Sequence, residues 1–298
     1  MTVSIATPTD SIAPATPRFA FLALLAGNVA LAFGPLLVRF ADTGPVAAGF
    51  WRLFLAIPVL IVLAQWKGKG IARVGRQYWL IIALGGLFFA ADLASWHAGI
   101  VQTKVANATL FGNVTSLLLP IWGIIVLRQR PALVQAIAIV LAIAGTALLM
   151  GNSYELSPRY LRGDMLCIAA GILYTGYILS IQSARQALDS WSLLAASTIA
   201  GAVPILIFAL MLGETILPTD WTPIIALAML SQVIGQGLIV YALAWFPPLI
   251  IGLTLLVQPM IGALAGWIVF NETLTVTDAI GAIAIAIALV LVRLPLRA

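Results

Sequence analysis

The chain alternates long apolar runs with short polar segments. A helix rises about 1.5 Å per residue, so about 20 apolar residues cross a hydrocarbon core of roughly 30 Å. The runs are continuous and do not alternate with polar positions, which favours helices over a β-barrel. The pattern predicts an all-α membrane protein with ten transmembrane helices, at residues 19–38, 46–66, 77–100, 105–127, 132–150, 163–183, 191–212, 221–244, 249–270 and 276–294.

Composition excludes a soluble protein. Of 298 residues, 62% are hydrophobic and 8% charged, and mean hydropathy is +1.11, against about 45–50% apolar and 25% charged in soluble domains. The net charge of +5 does not indicate nucleic acid, because Lys and Arg sit at the ends of apolar runs. A single cysteine and a single histidine exclude an intrachain disulfide and a His-pair metal motif. We expect no cofactor and no metal; the expected partners are the lipid bilayer and a small-molecule substrate, with the chain acting as a monomer.

The distribution of basic residues predicts the orientation in the membrane. With both termini in the cytoplasm, ten basic residues lie on the inner side and five on the outer side, and this bias favours that orientation. The predicted inner residues are Arg18, Lys67, Lys69, Arg73, Arg76, Arg128, Arg130, Arg185, Arg293 and Arg297. The predicted outer residues are Arg39, Arg52, Lys104, Arg159 and Arg162. We expect a multi-pass protein of a bacterial-type inner membrane.

Short sequence matches indicate an internal repeat. Residues 56–61 (AIPVLI) recur as residues 202–207 (AVPILI), and residues 81–84 (IIAL) recur in identical form as residues 224–227. Each pair falls in the same ordinal span of the two halves, so the chain is predicted to be a duplication of five spans. Because five is odd, the second half enters the membrane from the opposite face, which gives two inverted five-helix repeats.

These repeats set the predicted domain boundaries. A disordered lead at residues 1–17 comes first, and it does not resemble a cleaved signal because its first basic residue follows the polar stretch. The first repeat occupies residues 18–150, an outer linker residues 151–162, and the second repeat residues 163–298.

The two halves, together with the stretch from Pro259 that reads PMIGALAGWIVFNETLTVTDAIGA, resemble the EamA type of the drug/metabolite transporter superfamily. That family has a proline in the fourth span of each half and a Gly-Glu or Asn-Glu at the span's end. Asn271-Glu272 matches this pattern in the second half, whereas the first half has Arg128-Gln129-Arg130 and carries Ser116 at the position equivalent to Pro259. Within the family, the chain most resembles the exporters of aromatic and broad-range amino acids.

Asp92 is the strongest candidate for a transport residue, since it is the only carboxylate well inside a predicted span. Burying an ionised Asp at mid-membrane costs about 2.5–3.5 kcal/mol, so such residues usually face a water-filled cavity or a partner. Ser95, Trp96 and Gly99 share its helix face by their spacing. Two interpretations stay open: Asp92 lines a substrate cavity, or it pairs with a neighbouring helix as a neutral packing group.

His97 lies five residues after Asp92 and is rotated away from it. The histidine is either a proton-coupling group that titrates near neutral pH or a hydrogen-bonded packing residue.

Other polar and aromatic side chains recur at matched positions of the two halves, in spans 1, 3, 4, 6, 8 and 9, whereas spans 2, 5, 7 and 10 have few. An amphiphilic cavity of such residues suits a small solute with an apolar part and a polar head. The alternative is that the amides only bridge helices. The predicted substrate-cavity residues are Asn28, Asp92, Trp96, His97, Phe111, Thr115, Tyr174, Tyr177, Gln232, Gln236 and Gln258.

The sequence therefore predicts a secondary transporter that exports amino acids, aromatic and other neutral ones included, by alternating access. The alternative is a proton-coupled exporter of drugs or other small metabolites with the same fold. No phosphate-binding loop is present, so the driving force is expected to be a gradient. An enzyme is not expected, because one buried Asp and one His supply no recognisable catalytic site.

Overall fold

The computed structural model describes residues 17, 19–103, 105–151, 157–270 and 275–292, and within these ranges the chain forms helices and no strands. We number the helices α1 to α10 in chain order and treat a helix with a break as one. Two short 3₁₀ turns, Ile71–Arg73 and Arg76–Tyr78, precede α3. The helices are α1 (Ala20–Ala32 and Gly34–Phe40), α2 (Pro45–Trp66), α3 (Trp79–Ile100), α4 (Val105–Gly112 and Thr115–Ile125), α5 (Leu133–Gly151), α6 (Leu161–Arg185), α7 (Ser190–Met211), α8 (Thr222–Ala226, Leu227–Gln236 and Gly237–Ala242), α9 (Pro248–Leu255 and Val257–Phe270) and α10 (Val276–Leu291).

The helices fall at the ten predicted spans, and the all-helical prediction is confirmed. Within the described ranges, seven helical segments are long and apolar enough to cross a membrane, and three shorter apolar ones lie at Leu133–Leu148, Pro248–Leu264 and Val276–Leu291. Ten crossings and cytoplasmic termini therefore stay predictions.

Some predicted features lie outside the described residues. These are the lead before residue 17, residues 152–156 of the linker, the Asn271-Glu272 pair and the chain from residue 293 onward. The same holds for the charges of Arg18 and Lys104.

The helices pack in pairs that relate the two halves of the chain. α2 contacts α7, α4 contacts α9 and α5 contacts α10, so three helices of the first half meet their equivalents in the second half. α3 packs against α6, and α1 packs against α8. Exchanging the halves converts the α3–α6 contact into the α8–α1 contact, so the exchange preserves these five helix pairs.

Equivalent helices run antiparallel. At the start of α2, the Gly44 N–H donates to the Thr215 carbonyl oxygen just after the end of α7, at 2.9 Å. Beyond the other end of α2, the Lys69 N–H donates to Asp189 directly before α7, at 3.0 Å. An axis in the membrane plane places equivalent helices in this way, so the packing agrees with the inverted repeat that we predict.

Prolines inside the predicted spans have different effects on the helices. Pro35 at the start of the second part of α1 has no N–H to continue the first part, and the helix breaks at Phe33. Pro58 and Pro204 lie inside α2 and α7, which continue through them. The two equivalent helices therefore keep matching prolines.

Candidate functional site

A cavity lies among the middle parts of seven helices. It leaves about 490 Å³ of empty space, its open mouth included. The helices that line it are α1, α3, α4, α6, α8 and α9, which the sequence predicts to be the polar ones, together with α2. The lining residues are Leu31, Arg52, Phe89, Asp92, Leu93, Trp96, Gly112, Asn113, Tyr174, Gln236 and Gln258.

The breaks of α4 and α9 fall beside this cavity at equivalent positions of the two halves. α4 is interrupted at Asn113 and Val114, and α9 is interrupted at Leu256, which is Asn113 plus the repeat offset of 143. In α9, Pro259 lies in the first turn after the break, where it cannot donate to the preceding turn. Discontinuous helices in equivalent positions are the usual location of a transporter's binding site.

The first half makes its break without the proline. Ser116 stands at the position equivalent to Pro259, and its hydroxyl donates to the Asn113 carbonyl oxygen at 2.6 Å. The Ser116 N–H donates to the same oxygen at 2.8 Å. Both bonds tighten the turn and satisfy a carbonyl that would otherwise be unpaired at the helix end. Ser116 therefore gives the first half a matching break, although it departs from the family pattern.

Arg52 is the main residue that the sequence misplaces. The sequence predicts it among the outer charges, whereas the structure buries it within α2 at 2% exposure. Its Nε donates to Oε1 of Gln232 at 3.2 Å, and its guanidinium lies 5.6 Å from the centroid of the Phe89 ring. Nε2 of Gln232 in turn donates to the Thr198 hydroxyl at 3.0 Å. A charge in the second turn of an otherwise apolar span was the available signal, although the sequence places few polar residues in this span.

Asp92 faces the same cavity from α3. Its side chain is 8% exposed, and within the described part of the chain no hydrogen bond or ion pair within 4 Å joins its carboxylate to another residue. Arg52 lines the same cavity from α2. Asp92 is therefore a buried carboxylate that no described residue hydrogen-bonds or neutralises by an ion pair.

Trp96 forms the wall one helical turn beyond Asp92. Its indole packs against Gly112 at the end of the first part of α4, where a Cβ would lie 2.8 Å from Nε1 of the ring. The far edge of the ring reaches Gly34 at the break of α1, with 3.6 Å to the position of a Cβ. Glycine at position 112 therefore leaves room for the indole beside the cavity, whereas the approach to Gly34 is an ordinary contact.

Aromatic and amide side chains complete the lining. Tyr174 and Phe89 line the cavity, and Nε2 of Gln236 donates to the Tyr174 hydroxyl at 3.2 Å. Gln236 ends the π-helical part of α8, a widened helix turn that often marks functional sites. From α9, Nε2 of Gln258 donates to Oδ1 of Asn28 at 2.9 Å. These bonds fix the direction in which the cavity's polar groups point.

Five predicted site residues line the cavity: Asp92, Trp96, Tyr174, Gln236 and Gln258. Three others, Asn28, Tyr177 and Gln232, lie behind the lining: Asn28 and Gln232 hydrogen-bond lining residues, and Tyr177 stacks on Phe89 at 4.5 Å between centroids. A substrate contact by any of them stays a prediction.

The remaining three predicted residues, His97, Phe111 and Thr115, do not line the cavity. The His97 ring is fully buried, and its Nδ1 lies 2.8 Å from the Pro45 carbonyl oxygen, which places it between α3 and α2. The Thr115 hydroxyl donates to the Gly171 carbonyl oxygen at 2.6 Å and joins α4 to α6. Phe111 packs on the cluster around Cys167.

Among the described residues, no group of three or more His, Cys, Asp or Glu side chains is arranged to hold a metal ion. The site is instead a cavity inside a helical membrane protein, lined by aromatic rings, amides and one pair of opposite charges. Such a site defines a transporter of small molecules.

Comparison with known proteins agrees with this class. The profile of the EamA-like transporter family matches residues 18–151 and again residues 161–294, so the chain belongs to that family. It is therefore a multi-pass transporter of the inner-membrane type and not an enzyme. The two matches also show that the family unit occurs twice in the chain.

Individual relatives are more distant. The threonine/homoserine exporter RhtA of Escherichia coli K12 is 28% identical over 234 residues, which cover 77% of this chain and 76% of that protein. An uncharacterised transporter of Archaeoglobus fulgidus is 25% identical over 251 residues, which cover 81% of this chain and 85% of that protein. A solved crystal structure that is 15% identical superposes with a TM-score of 0.78, over 93% of this chain and 97% of that one. The last comparison shows a shared fold.

Proposed function

We propose that this chain exports neutral amino acids, aromatic ones included, from the cytoplasm by alternating access. In this proposal the ten helices cross the membrane as two inverted five-helix repeats with cytoplasmic termini, and the halves rock about the central cavity. The observation that carries it is the cavity itself, which combines aromatic walls, amides and charged groups beside two equivalent helix breaks. The relation to a threonine/homoserine exporter supports the substrate class.

The proposal assigns the transport unit to a monomer. A gradient supplies the driving force.

The test is counterflow in proteoliposomes. Vesicles loaded with one unlabelled amino acid from a panel of threonine, homoserine, phenylalanine and tryptophan are diluted into the radiolabelled amino acid, with and without a pH gradient. We expect uptake above that of empty vesicles for at least one of the four. No uptake for any of them, together with transport of cationic dyes, would replace the amino acid assignment by the multidrug alternative.

A further inference from the structure

The cavity contains two opposite charges that the protein does not join to each other. Arg52 enters from α2 and Asp92 from α3, and both are more than nine-tenths buried. Within the described residues, neither forms an ion pair within 4 Å. Isolated buried charges are costly, and such groups are normally paired or hydrogen-bonded.

The arrangement around Arg52 leaves its terminal nitrogens available. Nε of Arg52 donates to the side-chain oxygen of Gln232, and the side-chain nitrogen of Gln232 donates to the Thr198 hydroxyl. In the described part of the chain, no hydrogen bond engages the two Nη groups of Arg52. A guanidinium that is anchored at Nε presents its outer edge, with parallel N–H groups, which is the geometry that binds a carboxylate.

The charge pattern selects among possible ligands. A simple cation would pair with Asp92 but would be repelled by Arg52, and a simple anion would pair with Arg52 but be repelled by Asp92. A ligand with both charges on adjacent groups satisfies both residues and adds no net charge to the membrane interior. We propose that the cavity recognises the zwitterionic head of a free α-amino acid, with its carboxylate at Arg52 and its ammonium at Asp92.

This inference rests on the proposed function and extends it to the two binding groups. Phe89, Tyr174 and Trp96 line the same cavity and provide apolar surface for the amino acid's side chain. Gln232 is a positioning residue, because it acts on the ligand through Arg52. The transporter therefore selects its substrates by their charged head group, and the aromatic walls accept amino acids with different side chains.

The first experiment uses the unaltered protein and three competitors. Transport of a radiolabelled amino acid is measured against the same amino acid, its decarboxylated amine and its deaminated acid; for phenylalanine these are phenethylamine and phenylpropionate. Loss of a charge-assisted contact costs about 1.5–3 kcal/mol, so we expect each analogue to compete at least about tenfold more weakly. Analogues that compete within about threefold of the parent would overturn the inference and leave amino acid transport standing.

The second experiment assigns each charge to its residue. In Arg52→Gln the amine should compete as well as the amino acid, and in Asp92→Asn the deaminated acid should do so, since each variant removes one of the two contacts. A general loss of folding would not change these ratios in opposite directions. Arg39→Gln is the matched control, because Arg39 is an α1 arginine outside the cavity lining, and we expect its competition pattern to equal that of the unaltered protein.

Outcomes for the two proposals differ. If no amino acid is transported, the proposed function fails and this inference fails with it. If an amino acid is transported but the unaltered protein does not discriminate, or both variants keep the original pattern, only the zwitterion assignment fails.

Discussion

At the scale of single residues, a substitution of His97 distinguishes its two possible roles, helix packing and proton coupling. The ring is buried between α3 and α2, and its Nδ1–H donates to the Pro45 carbonyl oxygen, an acceptor-only group. We expect His97→Ala to lower the free energy of unfolding by about 1–3 kcal/mol, because a buried hydrogen bond and its packing are lost. The pH dependence of transport should not change.

The measurement pairs thermal unfolding in detergent with transport rates at several external pH values. A variant that keeps its melting temperature but loses its response to the pH gradient would make His97 the coupling residue. That result would support proton coupling over packing as the role of His97.

Arg52 and Asp92 show how far single residues can be assigned from the sequence. Asp92 stands out because a carboxylate deep in an apolar span requires a cavity or a partner. Arg52 lies seven residues after the start of α2, and at that distance a long side chain in the sequence also suits an interfacial position. Only the packing of α2 against α8, which brings Gln232 to the guanidinium, resolves the difference.

At the scale of helices, the cavity wall beside the break of α4 requires a glycine. A Cβ at Gly112 would lie 2.8 Å from Nε1 of Trp96, closer than packed atoms normally approach, so Gly112→Ala must displace the indole that forms the cavity wall. We expect several-fold slower transport with an overpacking cost of about 1–3 kcal/mol. Transport kinetics in proteoliposomes and a melting curve measure the two effects.

The matched control is Gly262→Ala in α9. A Cβ there would lie 3.8 Å from Cγ2 of Thr109, an ordinary contact, and alanine favours a helix. This variant should transport normally. Equal rates for both variants would show that the Trp96 wall has no role in transport.

A second prediction at this scale concerns the start of α7. Burial alone would raise the pKa of Asp189, but hydrogen bonds from the backbone N–H groups of Ser192 and Lys69 outweigh it and hold the pKa below its usual range. A carboxylate with a lowered pKa stabilises the folded state above its unfolded pKa of about 3.9 and loses that contribution as the pH falls through the lower folded value.

We therefore expect Asp189→Asn to lower the melting temperature at neutral pH and to show a smaller further loss under acid. Asparagine still caps the helix but does not titrate, so the variant isolates the charge. Melting curves from pH 7 to about pH 3 test this, and parallel acid dependence in both proteins would contradict it.

Helix positions follow from the sequence, but helix breaks follow only in part. Each apolar run becomes a helix because a spanning backbone must satisfy its own hydrogen bonds. Pro259 marks the break of α9, yet Pro58 and Pro204 lie in helices that continue. The break of α4 has no proline. The Ser116 hydroxyl and N–H both donate to the Asn113 carbonyl oxygen there, a local arrangement that no hydrophobic pattern reveals.

At the scale of the whole molecule, the antiparallel packing of α2 and α7 brings different loops together at the two ends of the helix bundle. One end joins the loop before α2 to the loop after α7, where the Thr219 N–H donates to Asp42 at 2.9 Å. The other end joins the loop after α2 to the start of α7 and contains Lys67 and Lys69. Because lysine and arginine tend to stay inside, we predict that the basic end faces the cytoplasm.

Cysteine accessibility tests that orientation directly. Lys67 and Leu217 are both exposed, at opposite ends of the bundle, and the native Cys167 is buried. In intact spheroplasts, a membrane-impermeant maleimide should label Leu217→Cys at once and Lys67→Cys only after permeabilisation. The unaltered protein controls for Cys167 and should stay unlabelled. If only Lys67→Cys is labelled in intact spheroplasts, the protein has the opposite orientation in the membrane. If both variants are labelled, the number of crossings between the two positions is not odd.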